Sequence, residues 1–173
     1  MDPIPTPERC VELLQENGCS DEVITHCKAV RDIAVKIAEK SHADCKLVEA
    51  GALLHDIGRS KTHGVTHALE GVRIARRVGL PLSIVYIIER HLGAGIPKEE
   101  AVLLGLPEKD YIPETLEEKI VAHADNLIQN GQKQRIEDEI KQAKKKGLEK
   151  VAQRMIDMHK ELSDLCGIDL NDI

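Results

Sequence analysis

The sequence predicts an all-α fold, a single helical bundle with a charged helical C-terminal extension. Three observations point there. Apolar residues recur at three- and four-residue intervals nearly throughout. Capping residues and glycines punctuate the chain at helix lengths. No stretch shows the strict alternation of a half-buried strand. With 173 residues, 42% of them hydrophobic, the chain is long enough for one domain with its own core. That domain is placed at residues 1–131, and the extension, packed on it, at 132–173.

Each element has a local cause. Thr6 and Pro7 open a first helix as cap and first-turn proline, and Gly18 closes it. Ser20 caps a long second helix running to about Lys40. A third spans about Asp44 to Ile57 and stops at Gly58. A fourth runs from about Thr66 to Val78, ended by Gly79 and Pro81; a fifth runs from about Leu82 to Leu92, ended by Gly93. A short helix begins after Pro97. Glu114 to about Asn130 is predicted helical with Gly131 as its stop, and two charged helices flank Gly147. Ile136, Ile140 and Ala143 form a narrow stripe on the first of these, and Leu148, Val151, Met155, Met158, Leu162 and Leu165 a broader one on the second. Stripes of this kind pack on their own domain or against a second copy, so a homodimer is a possible assembly.

Composition narrows the function. Phe and Trp are absent and Tyr86 and Tyr111 are the two tyrosines, too few aromatics for base-stacking platforms. A net charge of −6 supplies no global field for duplex nucleic acid or an anionic membrane. Cys10, Cys19, Cys27, Cys45 and Cys166 lack CxxC spacing and read as reduced apolar residues of a cytoplasmic protein. No apolar run approaches the ~20 residues of a membrane span, and the start Met1 to Pro7 has no charged-then-apolar leader pattern.

Function begins with histidines in costly places. At about 100° per residue, His26 falls within the stripe of Val23, Val30, Ile33 and Ile37. His67 shares a face with Gly71, Ile74, Ala75 and Val78, and His91 with Ile84, Ile87 and Ile88. His55 and Asp56 follow Leu53 and Leu54 in a helix apolar nearly all round, and Asp125 lies with Val121, Ala122 and Ile128. A lone histidine on such a face is ordinarily a hydrogen-bonded core residue. Two buried carboxylates are another matter, since each is costly unless paired or bound to metal. No Lys or Arg shares these stripes, so the four histidines and two aspartates point to a common cation. Imidazole with carboxylate suits Fe, Mn, Co, Ni or Zn, and the implied cofactor is one or two such divalent ions.

These residues resemble a known family. His26, then Leu-Leu-His55-Asp56-Ile57-Gly58, then Ala-Asp125, over about residues 20–130, is similar to the signature of the HD-domain metal-dependent phosphohydrolase superfamily. His55-Asp56-Ile57-Gly58 matches its HDIG subgroup. The resemblance implies an HD-domain helical bundle in which His26, His55, Asp56 and Asp125 hold one ion. His67 and His91 stand where binuclear members, such as dinucleoside-tetraphosphate hydrolases and HD-GYP phosphodiesterases, carry two further histidines. Asp56 would then bridge to a second ion. His91 is followed by Leu92 rather than another histidine, and no Gly-Tyr-Pro follows, which departs from the HD-GYP pattern.

The implied reaction is hydrolysis of a phosphate ester or anhydride of a small, nucleotide-type substrate by metal-activated water. Asp56 would orient the nucleophile, Asp125 accept its proton and Arg59 steady the developing charge. Arg59, Lys61 and Arg90 are the candidates for substrate binding, each also readable as a solvated residue. His63 reads as a proton donor or an exposed loop residue, His123 as structural, and His42 and His159 as surface residues. Two other functions would use the same ligands: dioxygen activation at a di-iron centre, and non-catalytic sensing of a nucleotide or metal.

Overall fold

Residues 3–173 are described by a computed structural model; Met1 and Asp2, where the expected domain and terminus begin, lie outside the described residues. Among the described residues the fold is all-α apart from one small hairpin. Helix α1 (Pro7–Glu16) starts where the Thr6 hydroxyl accepts the Arg9 N–H at 3.3 Å. Helix α2 (Asp21–Ser41) starts where Ser20 accepts the Val23 N–H. Helix α3 (Cys45–Leu54) starts where the Asp44 carboxylate accepts from Lys46 and Leu47. Each cap satisfies donors that the first turn leaves without an intrahelical partner.

The third helix is shorter than its sequence pattern predicts. It ends at Leu54; His55 and Asp56 form a turn, and a 3-10 segment, Ile57–Ser60, follows. The pair is thus held at a helix end, not along a helix. The change of course brings Gly58 onto the first turn of α4 (His67–Arg77). Helices α5 (Leu82–Arg90), α6 (Lys98–Leu103) and α7 (Leu116–Asn126) follow.

The predicted helix to Asn130 is also cut short. After α7 the chain forms a hairpin, β1 (Ile128–Gln129) antiparallel to β2 (Gln132–Lys133). Its turn residues, Asn130 and Gly131, have φ of +52° and +73°. An Asn-Gly pair accepts two successive left-handed residues at little strain, so a tight two-residue turn wins over another helical turn. Helices α8 (Ile136–Lys145) and α9 (Glu149–Cys166) complete the chain, with a last 3-10 turn at Leu170–Asp172.

Helix α2 runs through both main apolar clusters. Val30, Ile33 and Ile37 pack with Val48, Ile120, Val121 and, from the C-terminal helices, Ile136, Met155 and Leu162. Val23, Ile24 and Cys27 pack with Leu14, Leu53, Leu54, Ile74 and Ile88. The ends of the α9 stripe do not join: Leu148 and Leu165 are 45% and 51% exposed. All five cysteines are free thiols. Among the described residues, no helix is long and apolar enough to cross a membrane.

Candidate metal centre

Five segments converge beyond the end of α3. The turn gives His55 and Asp56, α2 gives His26, the first residue of α4 is His67, the residue capping α5 is His91, and α7 gives Asp125. His55, Asp56, His67 and His91 are at most 2% exposed, while His26 and Asp125 open towards solvent.

Three of the histidines are oriented in the same way. The Nδ1 of His55 lies 2.6 Å from the Ala52 carbonyl, that of His67 2.8 Å from Gly64, and that of His91 2.7 Å from Ile88. A carbonyl only accepts, so Nδ1 carries the hydrogen and each Nε2 is turned towards the centre, as in metal-ligating histidines.

The Nε2 atoms meet the carboxylates in two sets. Asp56 Oδ2 is 3.5 Å from His26 and 3.6 Å from His55. Its other oxygen, Oδ1, is 3.1 Å from His67 and 3.3 Å from His91, whose Nε2 atoms are 3.0 Å apart. Asp125 Oδ1 lies 2.9 Å from His26 and 3.5 Å from His55. Two groupings, His26–His55–Asp125 and His55–Asp56–His91, have all their ligand atoms within 4.8 Å of one another.

The charges suit a cation. Burial pushes the Asp56 and Asp125 carboxyls up, but the facing imidazoles, His55 foremost, outweigh it and hold both below the ordinary carboxylate value. Burial opposes charge on His55, yet the two carboxylates raise its pKa well above the histidine norm. His55 Nε2 and Asp56 Oδ1 are buried without a hydrogen-bond partner, and both belong to these sets. Unsatisfied buried atoms of a borderline-to-hard donor set fit a divalent ion.

A cleft of about 680 Å³ reaches the centre, and His26, Asp56, Asp125, Arg59, His63 and Asn130 are among its walls. Arg59 donates from Nε to Asp56 Oδ2 at 2.8 Å and from Nη1 to the His63 carbonyl at 3.2 Å. Lys61 is exposed and outside that lining. Arg90 is placed elsewhere. It pairs with Glu118 at 3.0 Å and Glu114 at 3.2 Å and lies over the Tyr86 ring, so its charge is committed to the scaffold.

Sequence reading missed two features. The Asn130–Gly131 turn forms part of the cleft wall, and the Asn-Gly dipeptide was its available signal. His159, read as a surface residue, is half-buried; its Nδ1 is 2.9 Å from Nε2 of the buried His123, and its Nε2 bonds Asp169 at 2.9 Å. Burial lowers the His123 pKa to about 3. No local pattern links residues 123, 159 and 169.

A buried cluster of this make-up, at the meeting point of a helical bundle, could hold a metal ion. The chain belongs to the HD domain family, whose sequence profile matches residues 23–130. It is 49% identical over 170 residues, 98% of its length, to the tRNA (cytidine(56)-2'-O)-methyltransferase of Thermoplasma volcanium, and it spans 50% of that protein. It is 49% identical over 144 residues to Uncharacterized protein MJ0778 of Methanocaldococcus jannaschii, covering 80% of this chain and 85% of that one. Among solved structures, the HD domain of the L. monocytogenes phosphodiesterase PgpH in complex with cyclic-di-AMP matches with a TM-score of 0.57. That match covers 92% of this chain and 96% of the other at 17% identity, a likeness of fold.

Proposed function

We propose that this chain is a metal-dependent phosphohydrolase that cleaves a phosphate ester or anhydride of a nucleotide-type substrate. The observation that carries the reading is the division of Asp56, with one oxygen turned to His26 and His55 and the other to His67 and His91. A carboxylate so divided suits a bridge between two ions. His26, His55 and Asp125 would complete one coordination sphere, and His67 and His91 the other. Fe, Mn, Co, Ni or Zn held there supplies Lewis acidity and activation of water.

The chain's own groups do the rest. Asp125 faces the cleft and would accept the proton of a water oriented by Asp56. Arg59 is anchored through Nε and Nη1, which leaves Nη2 to meet a phosphoryl oxygen as charge develops. Its anchor on Asp56 ties that cation to the centre. The shared fold with a phosphodiesterase domain supports a phosphate ester as substrate. The T. volcanium relative is named for methyl transfer to tRNA. We assign that activity to the half of the relative outside the match, because this chain's own site gathers histidines and aspartates suited to a metal.

The test is a panel of nucleoside monophosphates, dinucleoside polyphosphates and cyclic dinucleotides, assayed with Mn²⁺, Co²⁺ and Fe²⁺. Metal contents of the purified protein are measured alongside. Metal-dependent release of phosphate or nucleotide, lost in Asp56→Asn, is expected. Bound metal with no hydrolysis of any substrate class rejects the reading.

A further inference from the structure

A second cavity, of about 750 Å³, lies in the groove between α8 and α9, away from the residues of the metal cleft. Its floor is apolar, made by Ile136, Ile140 and Ile156. Its rim is basic, made by Lys141, Lys144 and Lys145 of α8 and Lys160 of α9. Spacings of three and four residues put the α8 lysines on one side of that helix. Lys160 leans on Asp164, while Lys141, Lys144 and Lys145 are exposed and none pairs with a carboxylate among the described residues. Glu137 is the acidic residue of the lining, and the Asn171 amide donates to both of its oxygens at 3.2 Å. His159 closes one side as a fixed wall, since both of its nitrogens are engaged by His123 and Asp169.

On a chain of net charge −6 this is a local concentration of positive charge around an apolar pit. The charges exclude a second copy seated symmetrically on it, because lysine rim would face lysine rim. A nucleic-acid backbone would satisfy the lysines and leave the exposed parts of Ile140 and Ile156 unmet. A small anion with an apolar or planar body satisfies both, and the volume lies within the ordinary range for small-molecule sites.

We propose that the α8–α9 cavity binds a small phosphorylated ligand of the nucleotide class. Its phosphates meet Lys141, Lys144, Lys145 and Lys160, and its base lies on Ile136, Ile140 and Ile156. The site is separate from the metal cleft and does not depend on the reaction proposed there.

The experiment uses the full chain in EDTA, with N-methylanthraniloyl-ADP as a fluorescent probe followed by anisotropy. Saturable binding is expected. It weakens by about tenfold or more in the Lys144→Glu/Lys145→Glu double variant and in Ile156→Glu, while circular dichroism shows unchanged helicity. Ile156 is 37% exposed, so a charge there is tolerated by the fold. Arg59→Ala leaves the binding as it is, and ADP competes far better than inorganic phosphate. The proposal is overturned by absence of saturable binding, by binding that the lysine reversals leave unchanged, or by loss in Arg59→Ala instead. It also fails if inorganic phosphate competes as well as ADP, or if a duplex RNA binds with the lysine dependence and the probe does not.

Discussion

Gly58 lies against the backbone of His67: a Cβ built on Gly58 would stand 1.8 Å from the His67 carbonyl oxygen and 2.5 Å from the Gly71 nitrogen. No rotamer change relieves a clash with backbone, so Gly58→Ala must push α4, and His67 with it, away from the turn that carries Asp56. The expected cost is about 3 kcal/mol or more, read by urea unfolding. Metal content should fall in the same preparation. A variant of wild-type stability and metal content would disprove this account of the contact.

Asp56→Ala removes the carboxylate that faces both pairs of histidines, and His55→Ala removes an imidazole that faces Asp56 and Asp125. Both are expected to lose metal retention and turnover while keeping most of their helicity, because the apolar clusters of α2 do not include them. Elemental analysis and circular dichroism on the same samples check this. Retained metal with intact helicity in either variant contradicts the proposed ligand set.

Arg59, Lys61 and Arg90 should separate cleanly. Arg59→Ala is expected to lower kcat by about a hundredfold, and Lys61→Ala to leave it near wild type. Arg90→Ala should act on stability instead. It leaves Glu118, whose side chain is 4% exposed, with the Glu114 backbone N–H as its remaining partner on that oxygen, at a cost of about 1–3 kcal/mol. Activity per folded molecule, measured beside unfolding curves, distinguishes the three.

His123 gives a pH dependence with a defined sign. Its pKa falls from 6.5 in the unfolded chain to about 3 in the native one, because burial disfavours the charged form. The native state therefore has this contribution in full above pH 6.5 and loses it as the pH drops towards 3. The loss is about 1.4 kcal/mol for each pH unit in that window. His123→Gln should show a shallower decline of unfolding free energy between neutral and acid pH. Parallel curves for the two proteins contradict the burial.

Much of the site was legible because of what its residues are. Asp56 and Asp125 on apolar stripes are expensive unless something balances them, and that asks for a cation without reference to any fold. Helix starts at Thr6, Ser20 and Asp44 were legible for a related reason, since a cap acts within three residues. Helix ends were less so. The apolar run through Ile57 reads as continuing helix, whereas the chain turns where Gly58 meets the start of α4, nine residues on at His67. Asn130 and Gly131 did signal a turn, but an amphipathic pattern running up to them masked it.

The identities and order of the side chains therefore gave the fold class and pointed to six candidate ligands. Tertiary structure alone decided which oxygen of Asp56 faces which pair of histidines, that Arg59 rather than Arg90 reaches the cleft, and that His123 meets His159. Periodicity reports the face of one helix, a property fixed by nearest neighbours in the chain. The angle and depth at which two helices pack depend on every side chain between them, and these long-range contacts set the distances on which a binding site depends.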